Sequence, residues 1–86
     1  MGRHEKFLLK VLCGSSDRNI NFDDLRNLLR RMGFDEYTRS SHHMFRKEGV
    51  EERINLQKEG KNAKPYQVKQ VRSIIQKYGL GGLLDV

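Results

Sequence analysis

Residues 34–57 have the sequence FDEYTRSSHHMFRKEGVEERINLQ, in which three strand-like runs are separated by the turn segments Ser-Ser and Glu-Gly. The runs are residues 34–39, 42–47 and 50–57. In the third run, the apolar Ile54 and Leu56 alternate with the polar Asn55 and Gln57, so the two sets lie on opposite faces of a strand. This alternation predicts an antiparallel meander with one face packed against helices and the other face in solvent.

Helical patterns flank the three runs on both sides. Asn21 is suited to cap a helix whose apolar residues are Leu25, Leu28, Leu29 and Met32. After the strands, Pro65 fits the first position of a helix and Gly79 its end. The apolar stripe between them consists of Val68, Val71, Ile74, Ile75 and Tyr78. A shorter apolar pattern over residues 7–12, stopped by Gly14, predicts an additional N-terminal helix.

The predicted fold is α+β with the order α-β-β-β-α, which is the topology of double-stranded RNA-binding domains. A three-stranded antiparallel sheet carries helices packed on one face, and the N-terminal helix is added to this unit. We expect a single domain over residues 1–86. Its expected parts are an N-terminal helical extension (1–20), a core (21–78) and a tail (79–86). Residues 58–64 have the composition of a flexible basic loop, and Leu80, Leu83 and Leu84 of the tail could cap the core.

The composition favours a polyanionic partner or an acidic protein partner. Lys and Arg number 17 against 11 Asp and Glu, which gives a formal net charge of +6. The single Cys13 excludes an internal disulfide, and the histidines show no ligand spacing, so we expect no metal site and no cofactor. No apolar run approaches the ~20 residues that span a bilayer, and the first residues lack a secretory signal pattern. We therefore expect a cytoplasmic protein without membrane contact.

The adjacent His42 and His43 are the strongest candidates for chemistry. An imidazole can take and return a proton near neutral pH, as general acid–base catalysis requires. The alternative is a half-buried, hydrogen-bonded histidine with no chemical role. Consecutive strand residues point to opposite faces, so the two histidines cannot share one role. Periodicity alone does not choose between them, because apolar Met44 shares the face of His42 and apolar Phe45 shares that of His43.

A basic segment before the last helix is a candidate phosphate site. Lys61 and Lys64 precede the helix start at Pro65, where free backbone N–H groups and the helix dipole favour anions. Lys69 and Arg72 follow along the helix. The alternative is a solvated loop without a ligand. One histidine in such a cationic groove suffices for metal-free RNA cleavage, because the 2′-hydroxyl of RNA is itself the nucleophile.

Four segments carry a more specific signal. They are NFDDLRNLLRRMGF (21–34), SSHHMF (40–45), INLQ (54–57) and AKPYQVKQVR (63–72). Together they resemble the HicA family, small toxins of type II toxin–antitoxin systems, over roughly residues 21–78. The resemblance implies a double-stranded RNA-binding-like fold, ribosome-independent cleavage of mRNA, and neutralisation by a HicB antitoxin. Residues 1–20 form an extension that short members of the family lack.

The resemblance also selects one histidine. The family's catalytic histidine follows a Gly-Ser or Gly-Gly pair at the start of the second strand, and the matching position is His42. Here Ser40 stands where the family usually has glycine. A serine at that position costs about 1 kcal/mol or more if the turn requires a positive φ.

The expected function is therefore that of a toxin-type, metal-independent endoribonuclease with His42 as general base or acid. The residues expected to contact RNA are Ser41, Arg39, Arg46, Lys61, Lys64 and Lys69, with the lysines as phosphate ligands. A HicB-type antitoxin is the expected protein partner. Two alternatives remain: a non-catalytic RNA-binding module of the same fold, and an interaction domain whose basic surface serves only an acidic protein.

Overall fold

The structure, a computed structural model, describes residues 2–81 of the chain. It is an α+β fold with three α-helices, a three-stranded antiparallel sheet and a small two-stranded hairpin. The elements in order are α1 (Arg3–Cys13), a short 3-10 helix (Asp17–Asn19), α2 (Phe22–Arg31), β1 (Asp35–Arg39), β2 (His42–Lys47), β3 (Val50–Leu56), β4 (Lys58–Glu59), β5 (Asn62–Ala63) and α3 (Pro65–Tyr78). No helix within these residues is both long and apolar enough to cross a lipid bilayer.

The predicted start of α2 and both predicted ends of α3 are confirmed by their capping contacts, whereas α1 begins at Arg3, ahead of the apolar pattern over residues 7–12. The Asn21 side chain accepts a hydrogen bond from the backbone N–H of Asp24, with Oδ1 2.9 Å from the nitrogen. Pro65 occupies the first turn of α3, where its missing N–H leaves no broken bond. Gly79 ends α3 with φ of 62°, a left-handed conformation that glycine adopts without a steric penalty.

The sheet has the strand order β1-β2-β3, and both pairings are antiparallel. Arg39 lies opposite His42 in the first pairing, and His43 lies opposite Leu56 in the second. The third strand ends one residue earlier than predicted. Beyond Leu56, the backbone N–H of Gln57 donates to the side-chain Oε1 of Gln67 at 2.7 Å.

The prediction that residues 58–64 form a flexible loop is wrong, because the segment contains the β4–β5 hairpin. Lys58 pairs with Ala63, and Gly60 supplies a positive φ of 66° in the turn. Two backbone bonds tie the hairpin to the segment before α2: the N–H of Ala63 donates to the carbonyl of Ile20 at 2.9 Å, and the N–H of Phe22 donates to the carbonyl of Lys61 at 3.0 Å. These partners fix the hairpin backbone.

One apolar core joins the sheet to all three helices. The sheet contributes Phe45, Ile54 and Leu56 from one face, and each of these side chains has no exposed surface. The opposite face carries His42, Met44 and Asn55, which are only half-buried. The predicted division into a packed face and an open face is thus confirmed.

The N-terminal extension is built into this core. Leu8 and Val11 of α1 are fully buried with the other core residues. The guanidinium of Arg72 on α3 binds the extension through two hydrogen bonds. It donates to Asp17 Oδ1 at 2.8 Å and to the carbonyl of Val11 at 3.2 Å. Leu80 packs against the core as predicted, whereas Leu83 and Leu84 lie outside the described residues.

Candidate active site on the open face of the sheet

The two histidines have separate surroundings, as their alternation on β2 predicts. His43 shares the inner face with Phe45, which is fully buried. Its Nδ1 lies 2.9 Å from Glu36 Oε2, and its ring makes a T-shaped contact with the ring of Phe22, with centroids 5.0 Å apart. His43 is therefore packed between β1 and α2, in the position of a structural residue.

A carboxylate holds the surroundings of His43 together. Glu36 receives two hydrogen bonds from the guanidinium of Arg26, at 2.7 and 3.1 Å. This guanidinium, aided by His43, holds the pKa of the Glu36 carboxyl below its ordinary value. Arg26 also pairs with Asp23 one turn earlier on α2. The network fastens the edge strand β1 to α2.

His42 lies on the open face, with a partner on each ring nitrogen. Its Nδ1 is 3.1 Å from Asn55 Oδ1, and its Nε2 is 3.4 Å from Gln57 Nε2. An amide oxygen only accepts and an amide nitrogen only donates. With these amide orientations, the neutral ring carries its hydrogen on Nδ1 and its lone pair on Nε2. This tautomer is the one that can take a proton at Nε2.

Gln57 is itself fixed by two further side chains. Its Oε1 accepts hydrogen bonds from Lys64 Nζ and from Gln67 Nε2, both at 3.4 Å. Gln67 is only 1% exposed and also binds the backbone N–H of Gln57 through its Oε1. These contacts turn the amide nitrogen of Gln57 toward His42. They also connect Lys64 to His42 through a single side chain.

A shallow depression of ≈ 420 Å³ lies beside His42. Its walls are Tyr37, Arg39, Ser40, His42, Met44 and Arg53. The two arginines are exposed and bring positive charge to the depression. An imidazole that can take a proton thus borders a cationic surface suited to a phosphodiester.

The turn before His42 has the positive φ that is unfavourable for a serine. Ser40 has φ of 56°, and it is the one non-glycine residue with a positive φ among residues 2–81. Ser40 and Ser41 form a two-residue loop between paired Arg39 and His42. A positive φ at the first loop position is typical of the type II′ hairpin, which prefers glycine there. The serine is therefore strained, by about 1 kcal/mol.

The other predicted RNA contacts are spread over the surface. Arg39 borders the depression, and Ser41 is exposed in the turn beside it. Arg46 is also on the open face, with its Cζ 6.0 Å from the ring centroid of Tyr37. Lys61 is exposed at the β4–β5 turn and Lys69 is exposed on α3. Of the three predicted lysines, the structure joins only Lys64 to the histidine.

Two details of the predicted phosphate site are wrong. Pro65 has no N–H, and the N–H of Gln67 already donates to the carbonyl of Lys64 at 3.0 Å, so the helix start offers fewer free donors than expected. Arg72 does not continue the basic surface, because Asp17 binds its guanidinium in a two-pronged ion pair.

Sequence reasoning missed the residues that hold His42. Asn55 and Gln57 were placed on the open face of the third run, but no contact with His42 was assigned to them. The sequence signal was incomplete, because counting back from the pair Lys47–Val50 sets Asn55 opposite His42, and only the register shift between Phe45 and Lys47 brings Gln57 there. The contact between Gln67 and Gln57 could not be predicted from the sequence, since Gln67 lies on α3 and not in the sheet.

The donor set for a metal is also incomplete in the described part of the chain. No group of three His, Cys, Asp or Glu side chains in residues 2–81 could hold a metal ion.

Comparison of the chain with protein-family models, with curated proteins and with solved structures gave no significant match to any of them.

Proposed function

We propose that this protein is a metal-independent endoribonuclease that cleaves mRNA, with His42 as the general base. The observation that carries the proposal is the pair of amide contacts, from Asn55 to Nδ1 and from Gln57 to Nε2, that orient the His42 ring beside a cationic depression. The HicA-like segments quoted above support the same function and the same histidine.

The reaction follows from the chemistry of RNA. His42 Nε2 takes the proton of a 2′-hydroxyl, and the 2′-oxygen forms a bond to the adjacent phosphorus. The bond from phosphorus to the 5′-oxygen then breaks, and the departing oxygen takes a proton from solvent. The products are a 2′,3′-cyclic phosphate and a 5′-hydroxyl. The substrate hydroxyl replaces Gln57 at Nε2, where the amide contact is long at 3.4 Å.

The surrounding cations supply the electrostatic part of the mechanism. Arg39 and Arg53 border the depression, and Lys64 is linked to His42 through Gln57. Positive groups aimed at the pentacoordinate phosphate stabilise the charge that develops on its oxygens. Lys61 and Lys69 are exposed and have no such link to His42, so they serve the flanking phosphates of the strand.

The proposal extends to fold family and partners. The α-β-β-β-α order from α2 to α3 supports a double-stranded RNA-binding-like fold, with the β4–β5 hairpin inserted before the last helix. The partner in a toxin–antitoxin pair is a HicB-type protein whose carboxylates cover the face that bears His42. We propose a cytoplasmic location, where mRNA is available and where Cys13 stays reduced.

The test is cleavage of a labelled single-stranded RNA by the purified protein in excess EDTA. We expect fragments ending in a 2′,3′-cyclic phosphate, and no cut at a position where one 2′-deoxynucleotide replaces the ribonucleotide. Cutting at the deoxy position, or loss of activity in EDTA that added magnesium restores, would contradict the mechanism.

One observation favours a second candidate, an RNA-binding module that does not cut. Both ring nitrogens of His42 already have partners, which is the arrangement of a structural histidine. The same experiment separates the two functions. The module retains RNA that remains intact, whereas the ribonuclease releases fragments.

A further inference from the structure

We propose that Tyr37 is a stacking platform for one unpaired base of the substrate, next to the phosphate that His42 acts on. The substrate class is then single-stranded RNA, and the depression beside His42 is its base subsite. The choice of RNA as the substrate rests on the proposed function. The new element is that the open face binds a base of the RNA, which general base catalysis by His42 does not require.

The position of Tyr37 fits this role. Tyr37 is 38% exposed on β1, and it lies opposite Met44 in the pairing with β2. His42 is the diagonal neighbour of Tyr37 on the same face, at a separation of about 7–8 Å. A base on the tyrosine ring therefore leaves its own sugar and phosphate within reach of the histidine.

The charges around the ring match a nucleic-acid strand. Arg46 holds its Cζ 6.0 Å from the Tyr37 centroid, a cation–π contact that restrains the ring. Arg39 and Arg53 flank the same depression and can meet the phosphates on either side of the base. Asp35 lies opposite Arg46 at the far end of the face, away from His42. Aromatic rings between cations are the usual platform for single strands.

The shape of the site selects an unpaired base. A base in a duplex is already stacked on both sides, so it has no free face for a side chain on a sheet surface. The depression is open and measures ≈ 420 Å³, within the range of small-ligand sites. Met44 also lines the depression and offers the base an apolar contact.

The chain offers a clean optical test, because it contains no tryptophan. Tyr37→Trp places a single indole on the platform. Leu9→Trp is the matched control, since Leu9 has a similar exposure, at 41%, and lies on α1. The probe is a short single-stranded RNA whose 2′-hydroxyls are replaced by fluorine, so it binds but cannot be cleaved.

We expect the probe to quench the emission of the Tyr37→Trp protein and to leave that of the Leu9→Trp protein nearly unchanged. Equal quenching in both variants, or an unquenched Tyr37→Trp protein with probe bound, would overturn the platform. A duplex probe that quenches as strongly as the single strand would overturn the preference for unpaired bases.

An affinity measurement completes the test. Tyr37→Leu should weaken probe binding at least about fivefold, while Tyr37→Phe stays within about twofold of wild type, because stacking requires the ring and not the hydroxyl. The effect of Tyr37→Leu should disappear with a probe of abasic nucleotides. Unchanged binding of the RNA probe by Tyr37→Leu, with polyglutamate bound as tightly as RNA, would assign the face to an acidic protein instead. Since the probe is not cleaved, failure here differs from failure of the ribonuclease proposal.

Discussion

Nε2 of His42 lies 3.4 Å from Nε2 of Gln57, and the orientation of the Gln57 amide makes the histidine nitrogen the acceptor. This contact connects the candidate base to Lys64 and to the buried Gln67.

Gln57 is predicted to be a positioning residue. In Gln57→Leu, Lys64 loses the acceptor that links it to the site, and the His42 ring loses the partner that orients it before the substrate hydroxyl binds. The backbone bond from residue 57 to Gln67 remains. We expect the cleavage rate to fall by about 10- to 100-fold, as small misplacements of catalytic groups do. Binding of uncleavable RNA should change by less than about threefold in the same protein. The comparison is single-turnover cleavage against equilibrium binding, and equal losses in both would assign Gln57 to RNA binding alone.

Ser40→Gly is predicted to stabilise the protein. The substitution removes the left-handed strain at φ 56° but adds freedom to the unfolded chain, so the net gain is about 0.5–1 kcal/mol. The matched control is Gly49→Ser, at φ 89°, where an added Cβ meets no atom within 4 Å. This control should lose about 1 kcal/mol through strain alone. Urea unfolding measures both, and a destabilised Ser40→Gly protein would show that Ser40 is not strained.

The ion pair at the C-terminal end of α3 predicts a loss of stability in acid. The Tyr78 hydroxyl, followed by Lys77, lowers the pKa of Glu52 from 4.5 to about 2. A depressed carboxyl stabilises the fold fully above its unfolded pKa, and this contribution is lost as the pH falls through the folded value. The free energy of unfolding should therefore decline between about pH 4.5 and about pH 2.

Glu52→Gln isolates this contribution. The amide does not titrate, so the decline in stability over that window should be shallower than in wild type. Glu36, whose pKa is lowered mainly by Arg26, adds to the decline in both proteins. Urea unfolding at a series of pH values gives the free energy of unfolding against pH for both proteins. Parallel curves would show that Glu52 does not contribute to the loss of stability in acid.

The basic residues before α3 are predicted to set the salt dependence of RNA binding. If Lys61 and Lys64 each contact a phosphate, replacing both with alanine should make the slope of log K against log salt shallower by about 1.4 on a single strand. The control is the double variant Lys6→Ala with Lys10→Ala on α1, which removes the same charge. Identical slopes for the two double variants would show that the site is not at the lysines before α3.

The sequence predicted the sheet well because its information is local. Alternation placed Ile54 inside and Asn55 outside, and turn residues marked the ends of the strands. It did not predict the ion pair between Arg72 and Asp17, since 55 positions separate the two residues. The sequence around each of them is that of a charged residue in solvent. The hairpin at 58–64 was missed for a similar reason, because its backbone partners, Ile20 and Phe22, lie far away in the sequence.

The candidate site was predicted in part. Resemblance selected His42, and the geometry gives this histidine the open face and the amide partners that the sequence alone did not assign. The φ of Ser40 remained conditional, because it depends on the type of the turn, which a Ser-Ser pair does not by itself determine.

The central claim is tested most directly by the cleavage rate of His42→Ala beside that of His43→Ala, with thermal melting of both proteins. His42→Ala should remain folded and lose about 10²- to 10⁴-fold in rate, the usual contribution of a general base. His43→Ala should lose about 1–2 kcal/mol of stability, because Glu36 and Phe22 lose a packed partner, and should still cut RNA in its folded fraction. A folded His42→Ala protein that cuts at the wild-type rate would contradict the account.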